Sequence, residues 1–193
     1  MKTLIKFTFL LGLMLSTAAQ SAIITLSPSD LIVGQGDLVA IDINVSDLGQ
    51  NVAPSLGAYD FDLMFDINIF AANSIVFGNG LDLLGIGGIQ FVSLTTIDTL
   101  NIFELSFDSA ATLNSLQDSS FKLATVYFNA ITSGVGLFEL SVNSFGDAQG
   151  NPLSVSTIDA SVKVQTSVPE PATFWMILIP LVAASVVNRI NRG

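Results

Sequence analysis

Residues 58–66, "AYDFDLMFD", alternate with a period of two: Tyr59, Phe61, Leu63 and Phe65 fall on one side, and Asp60, Asp62, Met64 and Asp66 on the other. Such a segment suits a half-buried β-strand. At helical spacing its aromatics and aspartates would mix around every face. Val39, Ile41, Ile43 and Val45 repeat the pattern against Asp42, Asn44 and Ser46. Further strands are expected at residues 23–26, 75–77, 89–94, 102–107, 122–131, 137–143 and 158–164, all rich in β-branched and aromatic residues. Between them "GQGD", "FGNG", "GIGG", "TSGVG" and "DAQGNP" supply the Gly, Asn and Pro that tight connections need. Residues 109–119 have room for a short turn, and no other part of the body reads as an amphipathic helix. Short strands in such number, each apolar on one side and polar on the other, predict an all-β fold: a jelly-roll β-sandwich of about nine strands.

The residue types missing from the chain exclude most catalytic chemistries. There is no Cys and no His, so disulfides, thiolate zinc sites, thiol nucleophiles and Ser-His-Asp triads are all ruled out. Any metal site must be built from oxygen, and no cofactor is expected beyond that. Between residues 23 and 167 two lysines, Lys122 and Lys163, stand against 13 Asp and two Glu, a net charge near −13. A body so acidic repels phosphate backbones, which excludes nucleic acid as a partner. Hydrolysis of a glycosidic bond would need two carboxylates flanking it, for which Glu104 and Glu139 lead the candidates; a solvated strand face is the commoner use of such acids. The glycine-rich "FGNGLDLLGIGG" lacks the Lys-Ser/Thr of a phosphate loop and is expected to be a loop or bulge. Asp60, Asp62 and Asp66 on one strand face, with Asp147 and Asn151 around the later turn, are the candidate calcium ligands, beside the plainer reading of exposed acids and a turn.

The two ends differ in kind from the body. Residues 1–22 carry Lys2 and Lys6, an apolar stretch and the small residues "STAAQSA", the three parts of a secretory signal peptide. Residues 172–187 hold 16 positions without a charge, Trp175 near one edge and Arg189 and Arg192 beyond the other. At 1.5 Å per residue that is roughly 24 Å of helix, a little less than the ~30 Å hydrocarbon core, so a transmembrane helix there needs help from its flanks. The arginines suit the cytoplasmic side and Trp175 an interface, which places the body outside the cytoplasm. Three units are expected: the signal peptide, a sandwich domain over residues 23–166, and a tail over residues 167–193.

Val168, Pro169, Glu170 and Pro171, followed at once by that apolar segment and its basic end, resemble the PEP-CTERM sorting signal of Gram-negative bacteria. The resemblance implies an exosortase-type membrane peptidase as a partner, transient residence in the inner membrane, and a final location at the cell surface or beyond it. Pro169, Glu170 and Pro171 would then be recognition residues, which suits the extended backbone that two prolines impose. The body resembles the cohesin domain, an extracellular jelly-roll sandwich related to carbohydrate-binding modules. The resembling stretches are "LSPSDLIVGQGDLVAIDINVSDL", "LGAYDFDLMFDINIF", "FKLATVYFNAITSGVGLFEL" and "FGDAQGNPLSVS" before "IDASVKV". Cohesins of cellulosomes bind dockerin modules through one sheet face. The resemblance implies an exported, non-enzymatic adhesion module whose partner is an extracellular protein; the alternative is a polysaccharide-binding module of the envelope. Sugar sites favour exposed aromatics, and here the only tryptophan, Trp175, lies in the tail.

Overall fold

The computed structural model describes residues 21–166. Residues 1–20 of the expected signal peptide, Val168, Pro169, Glu170, Pro171, Trp175, Arg189, Arg192 and the expected transmembrane segment lie outside the described residues, whereas Ala22, placed at the end of that signal, is buried in the first strand. Among the described residues no helix is long and apolar enough to cross a membrane.

Eleven strands and one short helix follow in the order β1 (Ala22–Pro28), β2 (Ile32–Gly34), β3 (Leu38–Ser46), β4 (Leu56–Phe65), β5 (Phe70–Phe77), β6 (Gly88–Thr96), β7 (Thr99–Ser106), α1 (Ala110–Leu116), β8 (Phe121–Ala130), β9 (Gly134–Asp147), β10 (Val155–Ile158) and β11 (Ala160–Gln165). They form two sheets, ordered β10-β1-β3-β8-β5 and β2-β11-β9-β4-β7-β6. The neighbours pair antiparallel except β1 with β10 and β2 with β11, which are parallel.

The alternation read in β3 and β4 sets how the sheets face each other. Val39, Ile41, Ile43 and Val45 are buried from one sheet, and Tyr59, Phe61, Leu63 and Phe65 from the other. Removing each such side chain from water stabilises the fold by about 1.5–3 kcal/mol, and a slip of one residue would turn the whole set outward. At one end Phe70, Phe128 and Phe138 pack with ring centroids 4.9–6.3 Å apart. Gly136 makes room for them: a Cβ there would lie 2.4 Å from the Phe70 ring, so only glycine lets that ring rest on β9.

The strand count exceeds the expected nine or so for two reasons. The segment 158–164 is not one strand. The chain breaks at Asp159, leaving Ile158 in the five-stranded sheet and starting β11 in the other; there the Asp159 carboxylate accepts a hydrogen bond from the Leu140 N–H at 3.0 Å. β2, with three residues, is too short to show a period. The expected turn at 109–119 is a seven-residue helix whose Ser109 hydroxyl caps the Thr112 N–H. β5 begins at Phe70 rather than near residue 75, because the bulge at Ala72–Ser74 interrupts its alternation. The "FGNGLDLLGIGG" stretch is the loop between β5 and β6.

Candidate functional site

The outer face of the six-stranded sheet is built by the side of each strand that the core does not use. β4 presents Asp60, Asp62 and Met64, β7 presents Asn101 and Phe103, and β9 presents Leu137, Glu139, Ser141 and Asn143. Register brings them into rows: Asp62 lies between Asn101 and Ser141, and Asp60 is opposite Phe103, which is itself opposite Phe91 of β6. The Asn101 amide donates to Asp60 at 2.6 Å and to Asp62 at 3.0 Å, and the Asn143 amide donates to Asp60 at 3.3 Å. The two aspartates are two residues apart on one strand, and a single amide holds both. The result is a polar stripe across the middle strands. Apolar residues flank it: Phe91 and Ile89 toward β6, Val135 and Leu137 toward β11, all exposed. At the Leu137 end a pocket of about 330 Å³ is lined by Met64, Asp66, Asp98, Leu137 and Glu139 among others. Hydrogen bonds from the Thr96 and Thr99 hydroxyls hold the Asp98 carboxyl below its usual range.

The opposite face, on the five-stranded sheet, centres on an ion pair between Lys122 and Asp42 at 2.8 Å, with the Thr125 hydroxyl donating to Asp42. Burial pushes the Asp42 carboxyl up, but these donors and the ammonium charge outweigh it and hold the group below its usual value. Lys122, the cation of this face, is thus already paired.

The five candidate calcium ligands are distributed over separate places. Asp60 and Asp62 share the Asn101 amide. Asp66 closes its own turn, accepting from the N–H and the amide of Asn68 at 2.9 and 3.1 Å. Asp147 caps the turn that follows it, accepting from the Gln149 and Asn151 N–H groups at 2.9 and 2.7 Å and from the Asn151 amide at 3.0 Å. Burial raises the Asp147 carboxyl, while these donors more than offset it and leave the group lowered. Among the described residues no three acidic side chains gather closely enough to hold a metal ion.

Glu104 and Glu139 lie on opposite faces of one sheet, so they cannot flank a single bond. Glu139 points outward, next to Met64. Glu104 is 2% exposed and lies between the sheets. The Tyr59 hydroxyl donates to one of its oxygens at 2.8 Å and the Gln90 amide to the other at 2.8 Å. Burial raises the Glu104 carboxyl above its usual range, partly offset by those two donors, with Asp82 adding to the rise. The Tyr59 phenol is pushed up strongly, by burial first and by the facing carboxylate second. Glu104 shares the parity of Leu100 and Ile102, so a glutamate at a core-facing position was visible in the sequence. Gln117, which joins α1 to the start of β4, had no such signal.

A scan against protein-family models finds no match, and a search by sequence among curated proteins finds none either. Solved structures do match in shape. A type I cohesin from Pseudobacteroides cellulosolvens is 14% identical, with a TM-score of 0.60 over 78% of this chain and 96% of that one. A non-cellulosomal cohesin from the archaeon Archaeoglobus fulgidus is 14% identical, with a TM-score of 0.57 over 81% and 97%. A chain of a type I cohesin–dockerin complex from Clostridium thermocellum is 12% identical, with a TM-score of 0.62 over 78% and 97%. At these identities the likeness concerns the fold: the described residues form an all-β, two-sheet sandwich of the cohesin kind.

Proposed function

We propose that the sandwich is a non-enzymatic binding module of the cell surface or extracellular matrix, and that its ligand docks on the outer face of the β4–β7–β9 sheet. The observation that carries this reading is the polar stripe of Asp60, Asp62, Asn101 and Asn143 between exposed apolar borders. A sheet face with fixed hydrogen-bonding groups at its centre and apolar side chains beside them suits a protein partner. A cohesin-like fold supports that choice, since some of the similar structures are complexes of a cohesin with a dockerin. Oxygen-only coordination of calcium by Asp60, Asp62, Asp66, Asp147 or Asn151 is no part of this proposal.

Polysaccharide is the second reading, and one observation favours it. Phe91 and Phe103 are cross-strand neighbours beside Asp60, which sets an aromatic surface next to carboxylate and amide groups. Capture by the purified body from an envelope extract, run beside a glycan array, separates the two. Specific glycan binding with no protein partner would overturn the first reading.

Delivery belongs to the same proposal. Residues 1–22 direct export, and residues 167–193 hold the protein at the inner membrane until an exosortase-type peptidase acts at the Val168-Pro169-Glu170-Pro171 label. The order of label, apolar segment and Arg189 and Arg192 supports this. Replacing Pro169, Glu170 and Pro171 with Ala should abolish tail processing and change the final location. Unchanged processing would contradict the assignment.

A further inference from the structure

We propose that the flank of the sandwich formed by β5 and β6 is a homotypic interface, at which a second copy of this chain pairs antiparallel along β6. The inference rests on β6 as an unpaired edge and not on a ligand of the outer face, although Phe91 and Ile89 belong to the border of both surfaces.

β6 is the last strand of the six-stranded sheet and β5 the last of the five-stranded one. A groove of about 270 Å³ opens between them, lined by Ala72, Ser74, Ile75, Val92 and Leu94 among others. Edge strands are usually protected from pairing by Lys, Pro, inward charges or bulges. Residues 85–97, "GIGGIQFVSLTTI", contain no charge and no proline, and the ladder with β7 runs without a shift from Gly88 to Leu94. Ile89, Phe91, Leu94 and the neighbouring Ile97 remain 47%, 55%, 64% and 75% exposed.

Charge selects the occupant. The body carries 15 acids against two lysines, so two copies repel across most approaches. From Ile67 to Ile97, the stretch that builds both edge strands, Asp82 is the only charged residue, and its carboxylate already accepts from the Gly87 N–H at 2.9 Å. Two bodies of like charge meet few carboxylates at this flank: Asp82 within the stretch and Asp98 just beyond its end. A basic partner would find one carboxylate in this stretch, Asp82, already engaged by the Gly87 N–H.

Symmetry then sets the register. A two-fold axis perpendicular to the sheet keeps outer side chains on the outer face, so only residues of like parity can stand opposite each other. The uninterrupted segment Gly88–Leu94 is centred on Phe91. Pairing it with itself puts Phe91 against Phe91 of the second copy and Ile89 against Ser93, an aromatic contact at the axis. A single strand pair is small beside the interfaces of about 1,200 Å² and more that hold stable complexes, so a reversible dimer in the micromolar range is expected.

The described residues close one core with their own two sheets, so a body of residues 21–166 can be tested alone. Sedimentation over micromolar concentrations should show a monomer–dimer equilibrium, and Phe91→Lys should abolish the dimer. Because the chain has no Cys, Phe91→Cys should form a disulfide-linked dimer under mild oxidation far faster than Leu137→Cys, which starts from equal exposure, 55%. A body that stays monomeric throughout overturns the proposal. So does a dimer that survives Phe91→Lys, or cross-linking no faster at position 91 than at 137. An edge that instead accepts an uncharged β-strand peptide while the body stays monomeric assigns it to another occupant and also overturns it.

Discussion

Gln117→Met should destabilise the sandwich far more than its similar size suggests. Gln117 is 1% exposed. Its side-chain oxygen accepts from the Leu56 N–H at 2.6 Å, and its amide donates to the Leu56 and Gly80 carbonyls at 3.0 and 2.9 Å. One side chain at the end of α1 thus satisfies three backbone groups where β4 starts and the β5–β6 loop begins. Methionine fills nearly the same space and offers none of these bonds. A buried group left without a partner costs about 1–3 kcal/mol, and a carbonyl less than an N–H, so the sum is about 3–5 kcal/mol. Against a total stability of about 5–15 kcal/mol that is a large fraction. Urea unfolding of residues 21–166, followed by far-UV circular dichroism, should show the midpoint falling with the slope unchanged, and Tm should drop by roughly 10 °C or more. A loss below about 1 kcal/mol would mean that the three backbone groups had found other partners, contrary to the bonding described.

Glu104→Gln should make stability less dependent on pH. Burial raises the Glu104 carboxyl above its ordinary value of 4.5, so the folded body holds this proton more tightly than the unfolded chain does. The contribution therefore falls as pH rises from that ordinary value through the raised one, and is flat beyond. The Gln variant should lose this decline in urea titrations from pH 4.5 to neutral, and parallel curves for the two proteins would contradict the buried-acid account. Gly136→Ala, which brings a Cβ within 2.4 Å of the Phe70 ring, should cost about 1–3 kcal/mol by overpacking; a neutral effect on the urea midpoint would mean the three phenylalanines pack more loosely than described.

The sequence showed the parts of this fold whose physics is local. β3 and β4 were legible because each buries one face, and burial of one face imprints a period of two on the residues. The division at Asp159 was not. Ile158, Ala160 and Val162 continue an apolar pattern with no Gly or Pro between them, and what separates β10 from β11 includes a bond to Leu140, nineteen residues away. The acidic side of β4 was evident in Asp60 and Asp62, yet their shared partner Asn101 depends on the β4–β7 register, which no single strand encodes. Glu104 stood at a core parity and could have been found by that alone. Gln117 could not, because its role depends on where α1 packs, and that is settled by contacts distant in the chain.

The outer face of the β4–β7–β9 sheet is proposed as the binding surface. It is tested most directly by comparing three bodies in capture from the envelope extract: the unaltered one, one carrying Asp62→Lys and Leu137→Lys on that face, and one carrying Tyr127→Lys on the opposite face. All three substituted positions point away from the core, so the fold should survive, as circular dichroism would verify. Whatever the unaltered body captures should be lost with the first variant and retained with the second. Retention by the first variant, or loss only with the second, would contradict that assignment.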